Sequence, residues 1–282
     1  MNKNALTDFQ RNEITEHIVY NILAKQDKSS NSEILAKISR EEMAHYEKIR
    51  SLTKTEIKPN WFKVFWYVTL AKILGLTFAL KLMERGEEKA QRAYSLTEEN
   101  IFTELIADEK THEGELLRLI DEEKLDYIGS MVLGLNDALV ELTGALAGLT
   151  LAIQKTSIVA LSGIITGIAA ALSMAASDYL SRKSEGGDKR PLKSALYTGI
   201  AYIFTVLFLT FPYLILKNPF IALSLTVINA IIVIFIFTFF VSVVKDQRFG
   251  RNFVEMLAIS LGVASVSFFI GLFVRKFFNI DI

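Results

Sequence analysis

Apolar residues are unevenly spread along this chain. Before Tyr127 they alternate with Glu, Lys, Asn and Arg in a helix-like rhythm, and after it they gather into five long stretches, roughly 127–153, 156–180, 194–216, 219–244 and 253–274. A helix rising 1.5 Å per residue needs about 20 residues to cross some 30 Å of hydrocarbon, so the pattern predicts five membrane-spanning helices. The connections are short: Gln154 and Lys155, then 181–193, then Lys217 and Asn218, then 245–252. Pro191 and Pro219 fall near helix starts, where a missing N–H costs little, whereas Pro212 falls late in the third span and is expected to kink or end it. One apolar run lies outside this set. It extends from Trp61 to Met83, broken only by Lys63, Lys72 and Lys81.

Composition sharpens the division. The chain has 282 residues, 51% of them hydrophobic, and the concentration of that fraction after Tyr127 implies two domains, 1–125 and 126–282. Cysteine is absent, which excludes disulfides, thiolate zinc sites, iron–sulfur clusters and cysteine nucleophiles. Any metal is expected to be held by oxygen and imidazole. Net charge is zero and no basic cluster alternates with aromatics, so nucleic acid is not an expected partner. The first twelve residues are polar and carry no secretory signal pattern. Basic residues in the connections divide eight (Arg182, Lys183, Lys189, Arg190, Lys193, Lys245, Arg248, Arg251) against four (Lys155, Lys217, Arg275, Lys276). By the positive-inside tendency the first group, and the N-terminal domain with it, is expected in the cytoplasm. The membrane expected is a prokaryotic plasma membrane.

The front domain carries the most specific motif. Glu42-Met43-Ala44-His45 and Glu109-Lys110-Thr111-His112 are two copies of Glu-x-x-His, each setting a carboxylate and an imidazole one turn apart on one helix face. Ahead of them, Glu13 precedes Tyr20 by seven residues and Glu87 precedes Tyr94 by seven, so the domain reads as an internal duplication. The spacing from Glu13 to Glu42 is 29 residues and from Glu87 to Glu109 it is 22. That difference is about two helical turns, so the second hairpin can be shorter without rotating its ligands away. Glu16 is an alternative or addition to Glu13, and Glu84 to Glu87, because each pair shares a helix face.

One Glu from each of two helices plus Glu-x-x-His from each of the other two is the donor set of a di-iron or di-manganese bundle. At these residues, over roughly 5–125, the domain resembles the ferritin-like, rubrerythrin-type family. The resemblance implies a four-helix bundle holding iron, with manganese as the alternative, and a ferroxidase activity at that site. Rubrerythrins also carry a cysteine-ligated iron that this chain cannot form, which argues against their peroxidase activity. A membrane crossing by 61–83 would put Glu13 and Glu42 on the opposite side from Glu87 and Glu109. The run is therefore read as the crossover and start of the third helix, its apolar surface used for dimerisation or for lying on the bilayer, or else simply buried in the core.

Ionisable groups inside lipid mark function by default. Asp137 and Glu141 lie four apart in the first span, and Asp178 closes the second span four residues after Met174. The first-span segment from Gly134 through Asn136, Asp137, Glu141, Gly144 and Gly148, with the second-span segment Ser173-Met174-Ala175-Ala176-Ser177-Asp178-Tyr179, resembles the vacuolar iron transporter family, also known as the yeast calcium-cross-complementer type. The resemblance implies that Asp137 and Met174 line a metal path at a homodimer interface, with Asp178 near its cytoplasmic mouth. It further implies export of Fe2+ or Mn2+ from the cytosol in exchange for protons. Carboxylates suit that task because they carry either a proton or a metal, and a thioether favours softer ions over magnesium or calcium. Plant members have a metal-binding helical insert between spans two and three that is missing here. The ferritin-like domain is expected to take over its work, and the acidic residues Asp121, Glu122, Glu123 and Asp126 join the two domains as a solvated linker or a cation guide.

The sequence thus predicts an all-α protein, a ferritin-like bundle followed by a five-helix transmembrane domain, working as a metal exporter with an accessory di-metal domain. The rivals are a membrane-anchored di-iron oxidase acting on lipid or quinone, and an iron scavenger that protects against peroxide. With only His17, His45 and His112 the chain lacks the histidine clusters of membrane desaturases.

Overall fold

The computed structural model describes residues 3–28, 31–94, 122–185 and 190–278, and of 3–5, 87–94, 122–127, 185 and 278 the backbone alone. The described residues form helices and no strands: α1 (Lys3–Gln26), α2 (Asn31–Thr53), α3 (Trp61–Leu74), α4 (Leu76–Tyr94), α5 (Glu122–Ile153), α6 (Thr156–Glu185), α7 (Pro191–Ile215), α8 (Pro219–Val244) and α9 (Phe249–Phe278). They belong to two compact units, Met1–Asp121 and Glu122–Ile282. Glu122, Glu123 and Asp126, expected in the connection, lie in the opening turns of α5. Asp121 lies outside the described residues.

In the N-terminal unit α1 and α2 pack side by side, and α3 packs on α1 and α4. The buried stripe of α2 is Leu35, Ile38, Ser39, Glu42, His45, Tyr46 and Ile49. This is the three-and-four spacing of a core-facing helix, and the Glu-x-x-His motif sits in the middle of it. Val19, Tyr20 and Leu23 of α1, Val64 of α3, and Leu80 and Met83 of α4 complete the apolar core. The fourth long helix of a ferritin-like bundle, with Glu109 and His112, would fall in 95–121, outside the described residues.

The apolar run from Trp61 is two helices rather than one. Asn60 caps α3 by accepting from the Lys63 N–H at 3.1 Å, and Gly75, at φ +96°, breaks the chain before α4. Only glycine enters that backbone region without strain. At 14 residues α3 extends about 21 Å, short of the hydrocarbon thickness. It is no buried core helix either, since Phe62 is 74% and Phe65 69% exposed, alongside exposed Trp61 and Trp66.

The C-terminal unit contains five helices long and apolar enough to cross a membrane: Ile128–Ile153, Thr156–Ser184, Pro191–Ile215, Pro219–Val244 and Phe249–Phe277. Their burial is inverted relative to a protein folded in water. Leu161, Leu172, Phe204, Ile236 and Phe273 face outward, while Thr143, Thr150, Thr198, Thr205, Thr210 and Thr226 are buried. Hydrocarbon solvates the former, and all of these threonines except Thr143 donate to backbone carbonyls, as in Thr205 to Ala201 (2.9 Å), Thr210 to Val206 (2.7 Å) and, between helices, Thr226 to Leu209 (2.9 Å).

Helix α5 packs against all four others. Where it crosses α9, a Cβ placed on Gly271 would overlap the Gly148 carbonyl, and one on Gly148 would come within 2.9 Å of the Ser267 carbonyl. Small residues thus let two backbones touch directly. Pro191 and Pro219 open α7 and α8, and Asn218 caps α8 by accepting from the Phe220 and Ile221 N–H groups. Pro212 stands one turn before the end of α7 and lacks the N–H that would have served the Phe208 carbonyl. The Asn229 amide of α8 donates to that carbonyl at 3.2 Å instead, so the proline's defect becomes an interhelical hydrogen bond.

Candidate metal-handling sites

The N-terminal unit brings Glu13 of α1 together with Glu42 and His45 of α2. One ligand atom from each lies within 4.8 Å of the others. His45 Nδ1 is 3.3 Å from Glu13 Oε2 and 3.7 Å from Glu42 Oε2. All three are buried, Glu13 and Glu42 at 1% exposure and His45 at 5%. Two carboxylates enclosed together repel each other and lose hydration, and a cation shared among them and the imidazole relieves both costs. Position along α1 separates the alternatives left open by the sequence: Glu13 joins the cluster, whereas Glu16 is half-buried and outside it. Glu84 is half-buried on α4, and the Glu87 side chain, Glu109 and His112 lie outside the described residues.

Next to this cluster the two helices are stitched by a second histidine. His17 Nδ1 lies 2.6 Å from the Ser39 carbonyl and Ser39 Oγ donates to the His17 carbonyl at 3.0 Å. With Nδ1–H spent on that carbonyl, His17 serves as a strut between α1 and α2, fixing how Glu13 meets Glu42 and His45.

In the membrane unit Asp137 is half-buried and Glu141 exposed on α5. The Tyr202 hydroxyl of α7, itself buried, donates to Glu141 Oε2 at 2.8 Å and also faces Asp137. Thus the two carboxylates of the first span share one phenol. Met174 of α6 is half-buried and packs against the apolar core of the unit. Asp178 sits elsewhere, in a closed polar ring. It accepts from Ser194 Oγ at 2.6 Å and pairs with Arg182 at 3.5 Å. Arg182 also donates to Ser130 Oγ at 2.6 Å, and Ser130 and Ser194 are 2.7 Å apart. That ring ties together the ends of α5, α6 and α7 on the face carrying the 181–193 connection. Asp178 is thereby engaged on both oxygens, a bracing arrangement rather than an open carboxylate.

Sequence reasoning missed three participants. Tyr202 is the phenol that serves the span-one acids, and a polar aromatic in mid-span was the available signal. Asn136 and Glu255 line a cavity of mixed polarity between α5, α8 and α9. Glu255 was visible as the acidic residue of the fifth span, and Asn136 as the amide beside Asp137.

The family model described as the VIT family matches residues 128–187 and 185–272, just over half of the chain. Those residues are the five apolar helices, and the match stops short of the N-terminal unit. No curated protein matches the chain significantly.

Proposed function

The chain belongs to the VIT family, and on that premise we propose that its membrane unit exports a divalent transition-metal ion, Fe2+ or Mn2+, from the cytosol in exchange for protons. The observation that carries this reading is the pair Asp137 and Glu141 on one face of α5, with the Tyr202 hydroxyl donating to Glu141, in a span otherwise free of charge from 128 to 153. A carboxylate in that setting takes up either a proton or a metal ion, so the two compete for one site, as antiport requires. Glu141 is exposed on the single chain, which fits a path completed by a second copy in a homodimer. The excess of basic residues in the 181–193 and 245–252 connections supports a cytoplasmic N-terminal unit.

In the same reading the N-terminal unit is a ferritin-like metal-holding domain. Glu13, Glu42 and His45 would hold one ion, and the second Glu-x-x-His, Glu109 and His112, with Glu87 or Glu84, would supply the other half. Their burial and mutual distances suit iron or manganese, both of which take carboxylate and imidazole donors. Bound iron there supplies ferrous–ferric redox chemistry or a reserve of cargo. The protein's own part is to bring the two carboxylates together, orient the imidazole and exclude water.

The test is flux into proteoliposomes with a ferrous-ion reporter inside, under a proton gradient, comparing wild type with Asp137→Asn and Glu42→Gln. Wild-type flux that Asp137→Asn abolishes is the expected result. A second reading, a membrane-anchored di-iron oxidase or iron scavenger, is favoured by the enclosed Glu13–Glu42–His45 cluster. Wild type without flux, but with iron oxidation or retention lost in Glu42→Gln, would establish it instead.

A further inference from the structure

Asn136 and Asp137 are neighbours on α5, and successive residues on a helix point about 100° apart. While Asp137 faces Tyr202, Asn136 lines a different space, a cavity of about 300 Å³ between α5, α8 and α9. Thr238 of α8 and Glu255 and Met256 of α9 line the same cavity, with Lys245 at the end of α8, the mutually hydrogen-bonded Gln247 and Asn252, and an otherwise apolar wall. The Asn136 Oδ1 atom is buried, and among the described residues no group donates to it. Thr238, 6% exposed, gives its proton to the Ile234 carbonyl at 2.5 Å, so its oxygen offers only lone pairs to the cavity. Met256 is buried, and Glu255, exposed on its outer side, is the acidic residue of α9.

We propose that this cavity is a divalent transition-metal site, separate from the Asp137–Glu141 pair, in which the Glu255 carboxylate, the Asn136 amide oxygen, the Thr238 hydroxyl and the Met256 thioether are the donors. Each of the four presents a lone pair, which selects a cation over an anion. Three oxygens with one thioether select the manganous and ferrous class over magnesium, which demands a full oxygen octahedron. Lys245 is exposed at the α8 terminus, where its flexible stem lets the ammonium swing into water as an ion enters. The site opens on the face carrying the 245–252 connection, one residue along α5 from Asp137. It is placed to load an ion before that ion reaches the first-span carboxylates. Only the identity of the ion as cargo rests on the transport reading. Binding is independent of it.

The test is Mn2+ titration of the full chain in detergent, following free Mn2+ by electron paramagnetic resonance. Glu255→Gln is expected to weaken one class of sites at least about tenfold, and Lys245→Gln to tighten that same class by about threefold, since removing a like charge favours the ion. Asp137→Asn should leave this class in place. A misfolded variant cannot show the tightening, so the opposed effects separate ligation from structural damage. Isotherms of Glu255→Gln and Lys245→Gln that overlay the wild type would overturn the proposal. If the wild type carries no flux but both variants shift the isotherm as expected, the transport reading falls and the cavity stands. Flux with unshifted isotherms sinks the cavity alone.

Discussion

The two units offer the same donor chemistry in opposite settings. On α2, Glu42 and His45 stand one turn apart inside the core, with Glu13 of α1 closing on them and almost no surface left exposed. On α5, Asp137 and Glu141 also stand one turn apart, yet Glu141 is exposed on the single chain and its fixed partner is one phenol. An ion entering the first site must shed most of its water and gain several donors together, which favours retention. An ion meeting the second keeps an open side, which favours exchange. The contrast separates holding from handing on, and burial sets it, because the residue types are alike.

The sharpest way to break this comparison is to neutralise one acid in each unit. Asp137→Asn should lower flux by at least about a hundredfold, equivalent to about 2.7 kcal/mol of barrier, while leaving Mn2+ binding by the N-terminal unit intact. Parallel loss of both would show that the units do not work separately. Next in size is ligand stabilisation. Mn2+ at about a hundred times its dissociation constant should stabilise the N-terminal unit by about 2.7 kcal/mol. Hydrogen exchange of the α1 and α2 amides in the full chain reads this directly, and the protection should vanish in Glu42→Gln. Gly148→Leu should destabilise the membrane unit by about 1–3 kcal/mol through overpacking against the Ser267 backbone. A lower thermal midpoint of that unit, with unchanged exchange protection in α1 and α2, is the expected outcome. The smallest effect belongs to Tyr202→Phe. Losing one hydrogen bond within a membrane bundle costs about 0.6 kcal/mol, so half-saturation of flux by metal should shift by about threefold. A change of a hundredfold would mean that the phenol itself binds the ion.

Much of this architecture is legible in the sequence for definite reasons. The five spans are visible because lipid demands about 20 apolar residues in a row, whatever the packing. The family resemblance read from the Asp137 and Met174 segments is borne out by the match over 128–272. Within the N-terminal cluster the Glu-x-x-His at Glu42 and His45 is legible because one turn of helix fixes their relation. The choice between Glu13 and Glu16 was not, since it depends on the rotation of α1 against α2, which the His17–Ser39 strut sets. Hydropathy also merges α3 and α4 into one run, and the break came from the backbone at Gly75. Nor could spacing foresee that Asp178 is braced by Arg182 and Ser194, because the serine comes from the following helix.

The bare contact between Gly148 and Gly271 has a mechanical consequence. Side chains at a helix crossing act as springs, and each can change rotamer to let one helix slide past another. Here the backbones meet without such springs, so α5 and α9 behave as the two rails of one ladder. Asp137 and Glu141 ride on one rail and Glu255 on the other. Any motion that opens the protein to alternate faces of the membrane must therefore carry these carboxylates together, and the give in the structure must lie at other seams.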